Sequence, residues 1–222
     1  MCNVVDDYPD SYSKMALALS SAQVAKETLV AEYGIGEDLP FNFFGWAEGQ
    51  LHMVVGMERA GMRQPIQDRF EMCVGVVQAM RSHFGCDALT FVAEGFHSSK
   101  PELTKDQNLG ELYGQHDPAV RECISMSHVE LRPDMSPETT LVSVTYQYVT
   151  ADKSAGWVIW DEVKGYTRGV GKVLRDAPFP AMMALALRSG IEDTDFDEQQ
   201  RILELLNERG FNVQVFDSFK DY

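Results

Sequence analysis

The chain holds 222 residues, 34 acidic and 19 basic, for a formal charge of −15. Apolar residues make up 45% and charged residues 24%, which excludes a disordered chain, because such chains lack the apolar surface to offset ordering entropy. The acidic balance argues against general nucleic-acid affinity, which needs clustered positive charge, and the length fits one domain, or one domain with an appendage.

The opening stretch MCNVVDDYPDSYSK is acidic, with neither a basic n-region nor an apolar h-region, so no signal peptide is expected. Cys2 stands where myristoylation requires glycine. A first helix is predicted over 11–33, with Met15, Leu19, Ala22 and Leu29 near helical spacing and Gly34 as its C-cap. Leu39 to Met57 reads as a hairpin, with FNFFGW and LHMVVGM as strands and Ala47-Glu48-Gly49-Gln50 as the turn. Gly61 to Pro65 breaks the chain. Pro65 then opens a helix whose apolar stripe is Ile66, Phe70, Cys73, Val74 and Val77, with Gly85 closing it.

Ala88 to Ala93 is apolar at nearly every position, which marks a central strand covered on both faces. His97 to Val120 turns polar and reads as a lid, a binding loop or a disordered segment, with room for a short helix near 109–113. Strands are predicted at Glu122–Leu131, Leu141–Val149 and Gly156–Val163. The middle one alternates cleanly: Val142, Val144, Tyr146 and Tyr148 share one face, Ser143, Thr145 and Gln147 the other. Ala177 to Leu187 is strongly apolar but too short to span a bilayer. Helices at 180–189 and 195–209, a cap at Gly210 and a last strand at 211–216 complete the chain. The expected class is α+β, or an irregular α/β arrangement, with a mixed sheet of about six to seven strands flanked by helices. Residues 1–176 would form the sheet domain and 177–222 a helix-helix-strand extension packed on it.

Several chemistries are excluded by missing motifs. There is no GxxxxGK[ST] phosphate loop, no HExxH, no GxSxG and no EF-hand loop, and Gly169-Val170-Gly171 lacks the third glycine of a dinucleotide fingerprint. His128-Val129-Glu130 matches the HxE of zinc deaminases, but that centre needs a downstream PCxxC, and the last cysteine is Cys123. Cys2, Cys73, Cys86 and Cys123 form no CxxC pair, so free thiols in a reducing cytoplasm are expected, with no metal and no cofactor.

The candidate catalytic residues are Glu94 and His97. Ligand crevices form beyond the carboxyl ends of central strands, where desolvation shifts pKa values toward acid–base work. Glu122 and His128 on the next strand are possible neighbours. The simpler reading ends the strand in solvent at Glu94. A second candidate comes from charge: Leu141–Gly190 carries six bases against four acids, while Met1–Pro40 holds seven acids and two bases and Ile191–Tyr222 nine acids and three bases. Lys164, Arg168, Lys172 and Arg175 lie in a glycine-containing stretch able to contact an anion through backbone N–H groups. A solvated loop is the plainer alternative. Pro180–Leu187, apolar all round, belongs in a core or against a second copy.

These features point to a cytoplasmic acidic binding or regulatory protein that acts through a protein partner or self-association rather than to an enzyme. A small hydrolase using Glu94 and His97 is the first alternative, and an acidic inhibitor mimicking nucleic acid the second. Neither a membrane nor nucleic acid is an expected partner.

Overall fold

A computed structural model describes residues 11–35, 37–58, 61, 63, 65–99, 118–132, 136–152, 155–169 and 178–216. The elements, in chain order, are α1 (Ser11–Tyr33), β1 (Asn42–Ala47), β2 (Gln50–Met57), α2 (Ile66–Ser82), β3 (Ala88–Ser98) and β4 (Val120–Leu131). They continue with β5 (Pro137–Asp152), β6 (Ala155–Trp160), β7 (Lys164–Gly169), α3 (Pro178–Leu187), α4 (Phe196–Glu208) and β8 (Phe211–Val215). The class is α+β, as the pattern of elements implied.

The sheet differs from expectation: it is antiparallel at every pairing, not mixed. Its order is β6-β5-β4-β3-β1-β2-β8, with β7 also paired to β5. The β2–α2–β3 crossover does join two strands that run in the same direction. They are not neighbours, however, because β1 lies between them and is antiparallel to both. From β3 to β6 consecutive strands pair antiparallel as a meander, with a long connection between β3 and β4 and short ones after it. Residues 178–215 contribute two helices and the strand β8, which pairs with β2.

Local chemistry accounts for the boundaries. Gly34 N–H closes α1 onto the Val30 carbonyl at 3.0 Å, and Asp195 caps α4 by accepting from the Glu198 N–H. The β1–β2 turn places Glu48 at φ 51° and Gly49 at φ 79°, the pair of left-handed residues that matches a two-residue hairpin to strand twist. At Gly45 a Cβ would stand 2.6 Å from Cys86 Sγ and 2.7 Å from Met80 Cε, so a larger residue there would have to push both side chains aside.

The period-2 alternation of the strands divides the interior into two cores. On one face Phe43, Val55, Leu89, Phe91 and Val129 pack against α2, α3 and α4. On the other, Trp46, Val92, Ile124, Val142 and Tyr146 pack under α1. Residues 88–93 of β3 are buried without a break, as their apolar run implied. The Pro180–Leu187 stretch lies mainly in the first core, where Met183, Ala184 and Leu187 are buried. No helix of the described residues is long and apolar enough to cross a membrane.

Candidate functional site

The face beneath α1 holds three of the four Glu and His residues singled out above, Glu94, Glu122 and His128. In α1, residues 14, 18, 22, 26 and 30 fall on one i, i+4 row, occupied by Lys14, Ala18, Ala22, Lys26 and Val30, all buried. The two alanines allow the helix to lie close to the sheet. Both lysines are thereby pressed onto it, about 18 Å apart at 1.5 Å per residue.

Lys26, only 1% exposed, makes a 2.7 Å ion pair with Glu94 Oε1 and donates to the Glu37 carbonyl at 2.7 Å. Glu94 Oε2 accepts from the Leu39 N–H at 2.6 Å. Burial pushes the Glu94 carboxyl above the ordinary range, with Lys26 opposing that rise. Beside it, Glu122 Oε2 accepts from both Tyr146 Oη at 2.7 Å and Tyr148 Oη at 2.6 Å. The Lys26 ammonium lies 5.5 Å from the centroid of each tyrosine ring. Glu94 therefore does not end a strand in solvent. It sits inside β3 and anchors α1.

The second lysine completes a separate relay. Trp46 Nε1–H donates to Thr90 Oγ1 at 3.0 Å, and Thr90 Oγ1 lies 2.8 Å from His128 Nδ1. His128 Nε2 is 3.2 Å from Glu130 Oε2, which also accepts from Lys14 at 3.1 Å. The Glu130 carboxylate can only accept, so His128 carries its proton on Nε2, and Nδ1 of the neutral ring accepts the Thr90 hydroxyl hydrogen. Burial lowers the His128 pKa, in keeping with a neutral ring. The order hydroxyl–imidazole–carboxylate resembles a nucleophile relay, but Thr90 is fully buried and already accepts from Trp46.

Glu130 is held well below the usual carboxylate range, to about 2, chiefly by the hydrogen bond from His128, with Lys14 adding to the effect. Its folded pKa lies below its unfolded one. It thus contributes stability that is present above the unfolded pKa and lost as pH falls toward the folded value. Glu130→Gln is expected to flatten the acid limb of the stability curve by about 1–2 kcal/mol, the carboxylate being partly solvated. Urea midpoints near neutrality and in acid, compared with the parent, check this; parallel curves would refute it.

The four sequence-predicted residues do not form one cluster. Register puts Glu94 opposite Ile124, Phe96 opposite Glu122 and Thr90 opposite His128, so Glu94, Glu122 and His128 share the α1 face. Glu94 and Glu122 are neighbours, whereas His128 lies four residues further along β4 from Ile124 and joins the other relay. His97 falls on the opposite face, opposite Arg121, and belongs to β3 rather than to a loop. The rest of the expected lid, 100–117, lies outside the described residues.

The basic stretch also differs from a loop. Lys164 and Arg168 lie in β7, whose backbone pairs Lys164 with Ser143 and Arg168 with Thr140. Its residues alternate polar and small, a weak strand signal easily taken for a loop. Lys172 and Arg175 lie outside the described residues, as do Cys2 and the acidic termini at 1–10 and 217–222. Cys73, Cys86 and Cys123 are free, and burial pushes Cys73 and Cys86 up to about 12. Among the described residues no group of three His, Cys, Asp or Glu side chains is placed to hold a metal ion.

On the other side of the sheet, α2 and α3 border an open groove of about 610 Å³. Phe70 and Val74 form one wall, Ala181, Met182 and Leu185 the other, with Gln78 and Arg188 on the rim. Leu185 is 73% exposed in a helix whose neighbours Met183, Ala184 and Leu187 are buried. Sequence composition hid this, since an all-apolar helix gives no sign of which residue faces out. No protein-family model matches the chain, and neither does any curated protein or solved structure.

Proposed function

We propose that the chain is a binding protein that captures an amphipathic helix of a protein partner in the α2–α3 groove. The observation that carries this reading is Leu185, an exposed leucine lining a groove walled by apolar side chains. Exposed apolar surface of this kind is where helical segments lay their own apolar faces. Charge identifies the partner's other face. At −15 the chain steers toward basic segments, and Glu192, Asp193, Asp195, Asp197 and Glu198 follow directly after the groove residue Ser189. A second copy of this chain is the poorer occupant because it brings the same acidic field. The buried polar groups under α1 fit a binding role as well: Lys26–Glu94 and Lys14–Glu130 hold the helix on the sheet. A reducing compartment belongs to the proposal, since the described cysteines are free thiols.

A synthetic 18-residue helix of leucine and lysine, with its lysines on one face, is the probe. Fluorescence anisotropy is expected to give micromolar binding, and Leu185→Asp to weaken it at least tenfold with an unchanged far-UV spectrum. Equal binding by the variant, or by a leucine/glutamate helix of the same pattern, would overturn the proposal. So would sedimentation showing dimers that Leu185→Asp dissolves, because that result gives the groove to a second copy.

A further inference from the structure

A second cavity, about 510 Å³, lies between α2 and α4 and shares only Gln78 and Ser189 with the docking groove. Its floor is apolar, built from Val76, Leu206 and Phe211, all buried. Its two ends carry opposite charge. Arg209 stands over Gly75, its Nη1 3.9 Å from where a Cβ on that glycine would be. Among the described residues no carboxylate pairs with Arg209. At the other end His83 Nδ1 is held by Thr194 Oγ1 at 3.1 Å and lies 3.6 Å from Glu192 Oε2, a carboxylate whose side chain is 65% exposed.

Gly75 is the informative residue. Glycine inside a helix costs stability relative to alanine, and a Cβ here would meet nothing closer than ordinary van der Waals contact. Packing does not demand the glycine. Its effect is to keep the α2 wall of the trough flat beneath Arg209. The distance between the charged ends follows from the helix: Gly75 to His83 is eight residues, about 12 Å at 1.5 Å per residue. An extended peptide advances about 3.3–3.6 Å per residue, so roughly three to four residues span it.

We infer that this trough binds a short apolar peptide of three to four residues by its two termini. The C-terminal carboxylate meets Arg209, the N-terminal ammonium meets Glu192, and the side chains lie on Val76, Leu206 and Phe211. A zwitterion suits a chain of charge −15, because it is neutral overall and does not work against that field. The size of the cavity falls within the range of small-ligand sites.

Calorimetric titration with the free tetrapeptide Ala-Val-Leu-Ala tests the inference, using its N-acetylated and C-amidated forms as the other arms. The free peptide is expected to bind with a Kd on the order of 10 μM, and each blocked form about tenfold more weakly. Arg209→Gln should weaken the free peptide about tenfold while leaving the C-amidated form unchanged. Glu192→Gln should do the same with the N-acetylated form. Gly75→Leu, which fills the trough, should abolish binding of all three while the leucine/lysine helix still binds. No heat at millimolar peptide would overturn the inference, as would capped peptide binding as tightly as free, or indifference to both charge variants. The overturning results concern the tetrapeptides alone, so they leave the reading of the α2–α3 groove, tested by the leucine/lysine helix and Leu185→Asp, standing.

Discussion

Replacing Lys26 by methionine is expected to lower folding stability by about 3–5 kcal/mol, the cost of leaving a buried charge without its partner. The Lys26 ammonium is the only cation within bonding distance of Glu94 among the described residues, at 2.7 Å. Without it, Glu94 keeps one hydrogen bond, from the Leu39 N–H. Its carboxyl, already raised by burial, rises further, so the folded state holds a proton that the unfolded state has released. The stability deficit should therefore widen as pH climbs from the unfolded pKa through the folded one. The double variant Lys26→Met with Glu94→Gln is expected to recover most of the loss, since the amide oxygen still accepts from Leu39 and no net charge remains buried. Urea unfolding of the four proteins in the cycle gives the coupling directly. A loss below about 1 kcal/mol for the single change would reduce the pair to the worth of a surface bridge.

Thr90→Val should cost about 2–4 kcal/mol although it preserves shape, because one hydroxyl serves two buried groups. Trp46 Nε1 loses its acceptor and His128 Nδ1 its donor, with neither exposed to water. Adding Trp46→Phe in the valine background removes one of the two stranded groups. That second change should then cost less than it does in the parent, where it leaves Thr90 unpaired on that side. Equilibrium unfolding of the cycle checks the difference, and additive costs would show that the two hydrogen bonds act independently.

Much of the fold was legible from residue pattern because the governing forces are local. Gly34 ended α1 as its conformation requires, Glu48-Gly49 turned the hairpin, and Gly210, in a left-handed conformation, followed α4. The alternation in β5 put Val142, Val144 and Tyr146 on a buried face. Strand direction was not legible, since a helical crossover does not reveal that β1 inserts between the strands it joins. β7 was missed because its polar and glycine residues resemble a loop. In the candidate site, Glu94 was found for the wrong reason: the apolar run of β3 stops before it, yet the strand continues to Ser98. Lys14 and Lys26 escaped notice, although a signal existed. They share the i, i+4 row of Ala18, Ala22 and Val30, and a lysine on a row of small buried residues implies an acid on the surface below it.

The polar docking of α1 has a consequence for how the chain folds. Lys14 meets Glu130 across 116 positions and Glu27 meets Trp160 across 133, so α1 depends on partners synthesised more than a hundred residues later. Contacts this distant carry a large loop-closure cost and slow the search for the native arrangement. Each carboxylate must also be presented by a strand already in register, because a slip of one residue turns Glu94 or Glu130 to the other face. Closure of α1 is thus expected to follow the pairing of β3, β4 and β6, the strands that carry Glu94, Glu130 and Trp160.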